Sequence, residues 1–300
     1  DKPVDEHTGT IIEVSELYEG IAKSFSKESS FVDEFMKVVA RHYSFIINKG
    51  FSITINGTPV TPVPILLLMD SSLQSASIAP YIYQADIDGV NVLLEVGIYR
   101  PTPSEEELED EQVTRKTKDD SGWTIICNDR VVVYKDKTIL TGWGEAGVPN
   151  FHNQFIGISG VVIFKSNNAA KLPLTTTKRG IDTSSELYLR VKNFMREGTK
   201  IFTDYTNKWK KDIEGEKKST QKATLIDILH VPNQIPEDSW KKVRSIPGSD
   251  EKLFRPLLPL PVNDNNRVHI RFIRDKSEVQ KVAEYLFDDP NMSPSLVGEE

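Results

Sequence analysis

Cysteine is almost missing from this 300-residue chain, which carries only Cys127. A single thiol excludes an internal disulfide and any zinc site built on several cysteines. Cys127 ends the apolar run Thr124-Ile125-Ile126-Cys127, so a buried, inert thiol is expected rather than a nucleophile, and no base stands out as its partner. The five histidines, His7, His42, His152, His230 and His269, show no metal-ligand spacing. There is no glycine-rich phosphate loop, no dinucleotide fingerprint, no paired-histidine motif and no Gly-x-Ser-x-Gly elbow. No self-contained active site is therefore legible, and no metal-binding residue is assigned. No apolar stretch approaches the roughly 18 residues that span a bilayer, and no signal peptide is present. The expectation is a cytoplasmic chain without membrane association. It opens on Asp1 rather than Met, which suggests a piece cut from something larger.

The composition present is that of an ordinary globular chain, with 38% hydrophobic and 27% charged residues and a formal charge of −7. That balance gives no whole-chain basic footprint for nucleic acid. A local patch around Lys208, Lys210, Lys211, Lys217 and Lys218 is interleaved with Asp212, Glu214 and Glu216, the pattern of a solvated helix end. A DNA-clamp surface would require those lysines to cluster with Arg267, Arg271 and Arg274.

Length suggests two or three folding units. Gly9 to Val14 reads as a short strand. Phe31, Phe35, Val38, Val39, His42, Phe45 and Ile46 fall at helical spacing, and Gly50 stops that helix. Asn56-Gly57 is a hairpin turn. Strands follow from Tyr81 to Arg100, with Val90, Val92, Leu94 and Val96 on one face and Leu93 on the other. The segment from Ser104 to Ser121 holds seven acidic residues between Glu105 and Asp119 and reads as a mobile loop or an acidic partner-binding segment. Gly122 to Cys127 and Val131 to Tyr134 are strands joined at Asn128-Asp129. From Ser184 to Trp209 runs an amphipathic helix, with an interruption expected near Gly198. Lys217 to Lys222 reads as a polar linker. Beyond it, a proline-rich stretch, a strand at Arg267–Ile273 and a helix capped by Asp275 or Ser277 form a small accessory unit.

Between the apolar run Val161-Val162-Ile163-Phe164 and the long helix lies Leu172-Pro173-Leu174-Thr175-Thr176-Thr177-Lys178-Arg179-Gly180-Ile181-Asp182. Three threonines, two cations and a glycine give a stretch rich in donors, which suits an anionic group such as phosphate. A solvated turn between strand and helix accounts for the same residues.

Three segments, in this order, resemble the GHKL ATPase superfamily of gyrase B, MutL, MORC and the heat-shock chaperones. Gly9-Thr10-Ile11-Ile12 looks like the last strand of their nucleotide-binding domain. The helix from Phe31 to Asn48, followed by Gly50-Phe51-Ser52-Ile53, is similar to the start of the chaperone middle domain. Asn153-Gln154-Phe155-Ile156-Gly157 to Val161-Val162, then Leu172 to Lys178, resembles their F-x-G-V-V … L-P-L-N-x-S-R pattern. Lys178 falls where the chaperones place arginine and where gyrase B and MutL place lysine in the corresponding loop. Gly122 to Tyr134 also looks like a MORC-type strand pair. Two departures stand out: Thr175 replaces the family's asparagine, and the Glu and Asn motifs that hold water and magnesium are missing.

The resemblance covers about residues 9 to 210 and implies an α+β fold, a mixed β-sheet with helices packed on it, plus a small C-terminal α/β unit. It implies residues 1–60 as the last ATPase-domain strand with a connecting helix and hairpin. Residues 61–215 would be a transducer-like domain carrying the lysine loop, and 216–300 the accessory unit. It further implies that Lys178 reaches the γ-phosphate of ATP, with Thr177 and Arg179 beside it. ATP and magnesium would be bound mainly by an upstream ATP-binding domain. The full-length protein would be a homodimeric ATPase acting on a protein client or DNA. The alternative is a non-enzymatic interaction module that kept the fold and lost the mechanism.

Overall fold

The computed structural model describes residues 12–25, 30–73, 76–104, 106–107, 120–177, 180–243 and 250–261. Residues 9–11 of the strand expected from Gly9 to Val14, most of the acidic segment, and the strand and helix expected beyond Arg267 lie outside these residues. The described part of the first, Ile12 to Val14, is exposed and forms no strand. The chain begins with α1 (Glu19–Ser24), α2 (Ser30–His42) and α3 (Ser44–Asn48). The single helix expected here is thus broken at Tyr43, and Gly50, at φ +99°, ends it as expected. β1 (Thr54–Ile55) and β2 (Thr58–Pro59) pair across Asn56-Gly57, both residues at positive φ, as a tight primed turn requires.

The centre of the molecule is a seven-stranded sheet. It contains β4 (Tyr81–Ile87), β5 (Val90–Ile98), β6 (Gly122–Cys127), β7 (Arg130–Asp136), β8 (Ile158–Lys165), β10 (Lys241–Lys242) and β11 (Asp250–Phe254). Their order is β10-β11-β4-β5-β8-β6-β7. All neighbours are antiparallel except β6 and β8, which run parallel, so the sheet is mixed and the fold is α+β. β4 and β5 turn at Asp88-Gly89, and β6 and β7 at Asn128-Asp129, all four at positive φ.

Period-2 alternation divides the side chains between two faces. Tyr81, Tyr83, Val92, Leu94, Val96, Ile125, Val162 and Phe164 face α4 (Glu186–Trp209), a 24-residue helix that buries Tyr188, Val191, Met195, Phe202, Tyr205 and Trp209. Ser185 caps its first turn, accepting from the Tyr188 amide. The helix runs unbroken through Gly198. A Cβ there would lie 2.4 Å from Val96 Cγ1 and 3.0 Å from Tyr81 Cδ1, so this glycine marks the closest approach of helix to sheet rather than a break.

The opposite face is covered too. Ile82, Leu93, Ile126, Val161 and Ile163 pack beneath Phe45 of α3 and a ribbon of β3 (Leu66–Met69) with β9 (Thr224–Asp227), including Leu67, Met69 and Ile228. The sheet therefore has a layer on each side. Lys217 to Lys222 is not a free linker: α5 (Ile213–Ser219) includes its first half, and buried Glu216 accepts from the Thr102 amide at 2.8 Å. β9 pairs with β3 and β11 with β4, so residues 224–254 belong to the same compact unit, which extends to Pro261. The polar run concealed this because Glu216, the buried carboxylate just before it, looks like its exposed neighbours in sequence.

Candidate functional site

The loop singled out by its threonines and cations is built on a short antiparallel ladder. The Thr175 amide donates to Gly180 O and the Asp182 amide to Pro173 O, each at 3.0 Å, while Leu174 and Ile181 form a bridge. Thr175 Oγ1 adds a bond to Gly180 O at 3.3 Å and lies 3.3 Å from Thr177 Oγ1. Leu172 and Ile181 are buried and pin the base to the core, while Thr176 and Thr177 are exposed. Lys178 and Arg179 lie outside the described residues.

The chain reaching this loop is tied to two neighbouring turns. The Ser166 amide donates to Asn128 Oδ1 at 3.0 Å, Ser166 Oγ to Gly89 O at 2.9 Å, and Lys171 Nζ to Asp88 O at 2.6 Å. The loop thus rises from the carboxyl ends of the parallel pair β6 and β8, beside the turns at 88–89 and 128–129. On its far side, Asp182 accepts from the amide and hydroxyl of Ser184, bonds that hold its carboxyl below the ordinary range. That carboxylate is engaged at the loop base by Ser184.

The chain matches no family model and no curated protein at a significant level. Among the described residues, no group of three or more His, Cys, Asp or Glu side chains gathers to hold a metal. No helix among them is long and apolar enough to cross a membrane. Cys127 is buried, and burial pushes its thiol up to about 12. Lys208, Lys210, Lys211, Lys217 and Lys218 are exposed, with Lys217 paired to Glu214 at 3.0 Å, and the arginines at 267, 271 and 274 lie outside the described residues.

A second constellation lies on the opposite face of the sheet. A cavity of about 220 Å³ has a polar end formed by Tyr99, Asp120, Thr124, Lys135 and Ser159, and an apolar wall including Phe45, Ile65, Leu66 and Leu225. Lys135 Nζ donates to Ser159 Oγ at 2.7 Å. The stem of Lys135 is partly exposed, but its amine end is enclosed, and burial lowers its pKa to about 7 against an opposing pull from Asp120. A bulge aims this side chain. Trp123 is opposite Asp136 and Ile125 opposite Val133, so β7 carries an extra residue there, and Lys135 takes φ +48°. Such strain in a non-glycine residue persists only where its surroundings hold it. Gly122 permits the bulge, since a Cβ there would lie 2.6 Å from Asp136 O and 2.8 Å from Lys135 O.

Reading the sequence missed this pair. Lys135 follows an apolar run and looks like a strand end, and Ser159 is one small residue inside a buried strand. Only the run of Val-Val-Val-Tyr into two charges hinted that the strand continued. Glu95 was missed as well. It shares the face of Leu93, is fully buried, and has no hydrogen-bond partner among the described residues for either carboxylate oxygen. Burial, with the nearby Asp227 charge second, holds its carboxyl well above the ordinary range.

Proposed function

We propose that this chain is the transducer or middle region of a GHKL-type ATPase, and that its loop carries Lys178 to the γ-phosphate of ATP held by an upstream nucleotide-binding domain. The supporting observation is the loop itself, pinned at its base by paired backbone bonds and leading directly into α4. A pinned base limits the ordering cost of the residues that build it. When the phosphoryl group transfers, charge on its oxygens is stabilised by a positioned cation, the role assigned to Lys178. Thr177 and Arg179 flank that contact. The contact exists only while the γ-phosphate is present, which gives the differential interaction that a switch requires. Because α4 lies along the central sheet, movement of the loop is coupled to the body of the domain. ATP and its magnesium would be held mainly by the upstream domain. The full-length protein would act as a cytoplasmic homodimer on a protein client or DNA.

The test is steady-state ATP turnover by the full-length gene product, comparing wild type with Lys178→Ala and measuring ATP affinity on both. Turnover is expected to fall about a hundred- to a thousandfold with binding largely kept. Unchanged turnover overturns the reading.

A non-enzymatic interaction module is the second reading, favoured by the apolar surface of α1 and α2. Phe25, Phe31 and Phe35 are exposed, Phe25 meeting Phe31 edge to face at 5.0 Å between centroids and Phe31 stacking on Phe35 at 6.0 Å, beside exposed Ile21 and Val38. Under this reading, Lys178→Ala leaves turnover unchanged, while Phe31→Ser with Phe35→Ser abolishes complex formation seen by sedimentation.

A further inference from the structure

We propose that the cavity beside β7 and β8 is a binding site for a small neutral carbonyl compound, an aldehyde or ketone with a short apolar body, which Lys135 holds as an imine. The site is independent of the ATPase reading and lies on the sheet face opposite α4. Three features of the cavity point to this ligand class. The enclosed amine is bonded to a hydroxyl, Ser159 Oγ at 2.7 Å, rather than to a carboxylate. The wall formed by Phe45, Ile65, Leu66 and Leu225 offers apolar surface to the body of the ligand. Arg41 and Asp120, of opposite charge, both line the cavity, so charge selects neither an anion nor a cation and an uncharged electrophile fits.

The charged and titratable groups facing Lys135 are Asp120, which favours its protonated form, and Lys137, which opposes it. Arg41, Tyr99 and Tyr134 also line the cavity, with the Arg41 guanidinium 5.4 Å from the Tyr134 ring centre. With a pKa near 7, a large share of Lys135 is neutral at neutral pH, whereas an exposed lysine is almost wholly protonated. A desolvated, neutral lysine is the form that adds to carbonyl groups.

The step balances without an oxidant or reductant. The Nζ lone pair forms a bond to the carbonyl carbon, and the carbonyl oxygen takes up a proton to give a carbinolamine. Nζ then gives up its remaining proton through Ser159 Oγ as the hydroxyl departs, leaving the C=N bond and one water. The apolar wall gives the body of the imine a partly desolvated surface.

The test is reductive trapping. The chain is incubated at pH 7 with isobutyraldehyde and cyanoborohydride, and the modified lysines are mapped by peptide mass. Lys135 is expected to be modified at least about tenfold faster than any other lysine. Leu225→Trp, which fills the apolar wall, is expected to slow that modification about tenfold while leaving other lysines unchanged, with the fold checked by thermal unfolding. Acetone is expected to protect Lys135 and isobutyrate to fail. Modification at the rate of surface lysines, indifference to Leu225→Trp, or equal protection by isobutyrate would each overturn the proposal.

Discussion

Glu95 is the residue at which the pH dependence of stability should be concentrated. It lies in the middle of β5, opposite Ile82 on one side and Val161 on the other, under the β3–β9 ribbon. No donor among the described residues reaches its carboxylate oxygens, and Asp227 on β9 adds a like charge. The folded protein therefore keeps Glu95 protonated, whereas the unfolded chain releases that proton around the ordinary value of 4.5. Since the folded pKa is the higher one, stability is fully present below pH 4.5 and is lost as pH rises toward the folded pKa. Within that window the slope approaches about 1.4 kcal/mol per pH unit. Glu95→Gln removes the ionisation while keeping the shape. Urea unfolding from pH 4.5 to 8 should show the variant gaining on wild type with rising pH, at about 1.4 kcal/mol per unit until wild-type Glu95 begins to ionise in the folded state. Parallel stability curves for the two proteins would refute the assignment of a buried, protonated Glu95.

Three other substitutions or treatments probe the packing. Gly198→Ala should destabilise by about 1–3 kcal/mol in urea unfolding, because the added methyl meets Val96 and Tyr81, although alanine is the better helix former. Arg190 of α4 pairs with buried Glu251 of β11, so Arg190→Leu should cost about 3–5 kcal/mol by leaving that carboxylate alone. Adding Glu251→Leu to it should recover most of the loss. Burial pushes Cys127 up to about 12, so a thiol reagent at pH 8 should react with it only on the timescale of unfolding.

Local signals in the sequence translated well into structure. Asn56-Gly57 and Asn128-Asp129 both sit in turns that need positive φ, and Gly50 ends a helix as it should. The α+β class, expected from the family resemblance, is the class of the fold. Gly198 was misleading because a helical glycine signals either a break or a close approach, and only the neighbours decide which. Glu95 and Asn91 alternate with apolar residues as if that face met water, yet the ribbon that buries Glu95 is assembled from residues more than a hundred positions apart. The bulge that turns Lys135 inward leaves no pattern in β7, since it depends on the register with β6. In the lysine loop, composition located the stretch, but the ladder that pins its base depends on backbone pairing between Pro173–Thr175 and Gly180–Asp182.

The position of β11 has a consequence for synthesis of the protein. This strand is inserted between β10 and β4, and the indole of Trp209 donates to Pro259 O at 3.0 Å just beyond it. Until the ribosome has released residues past 254, β4 has an open backbone edge and α4 lacks the carboxylate that meets Arg190. The nascent chain must therefore wait for one of its later segments before the sheet closes, and an early stop codon anywhere in the preceding hundred residues would leave a sticky, strand-exchanging intermediate rather than a smaller working domain.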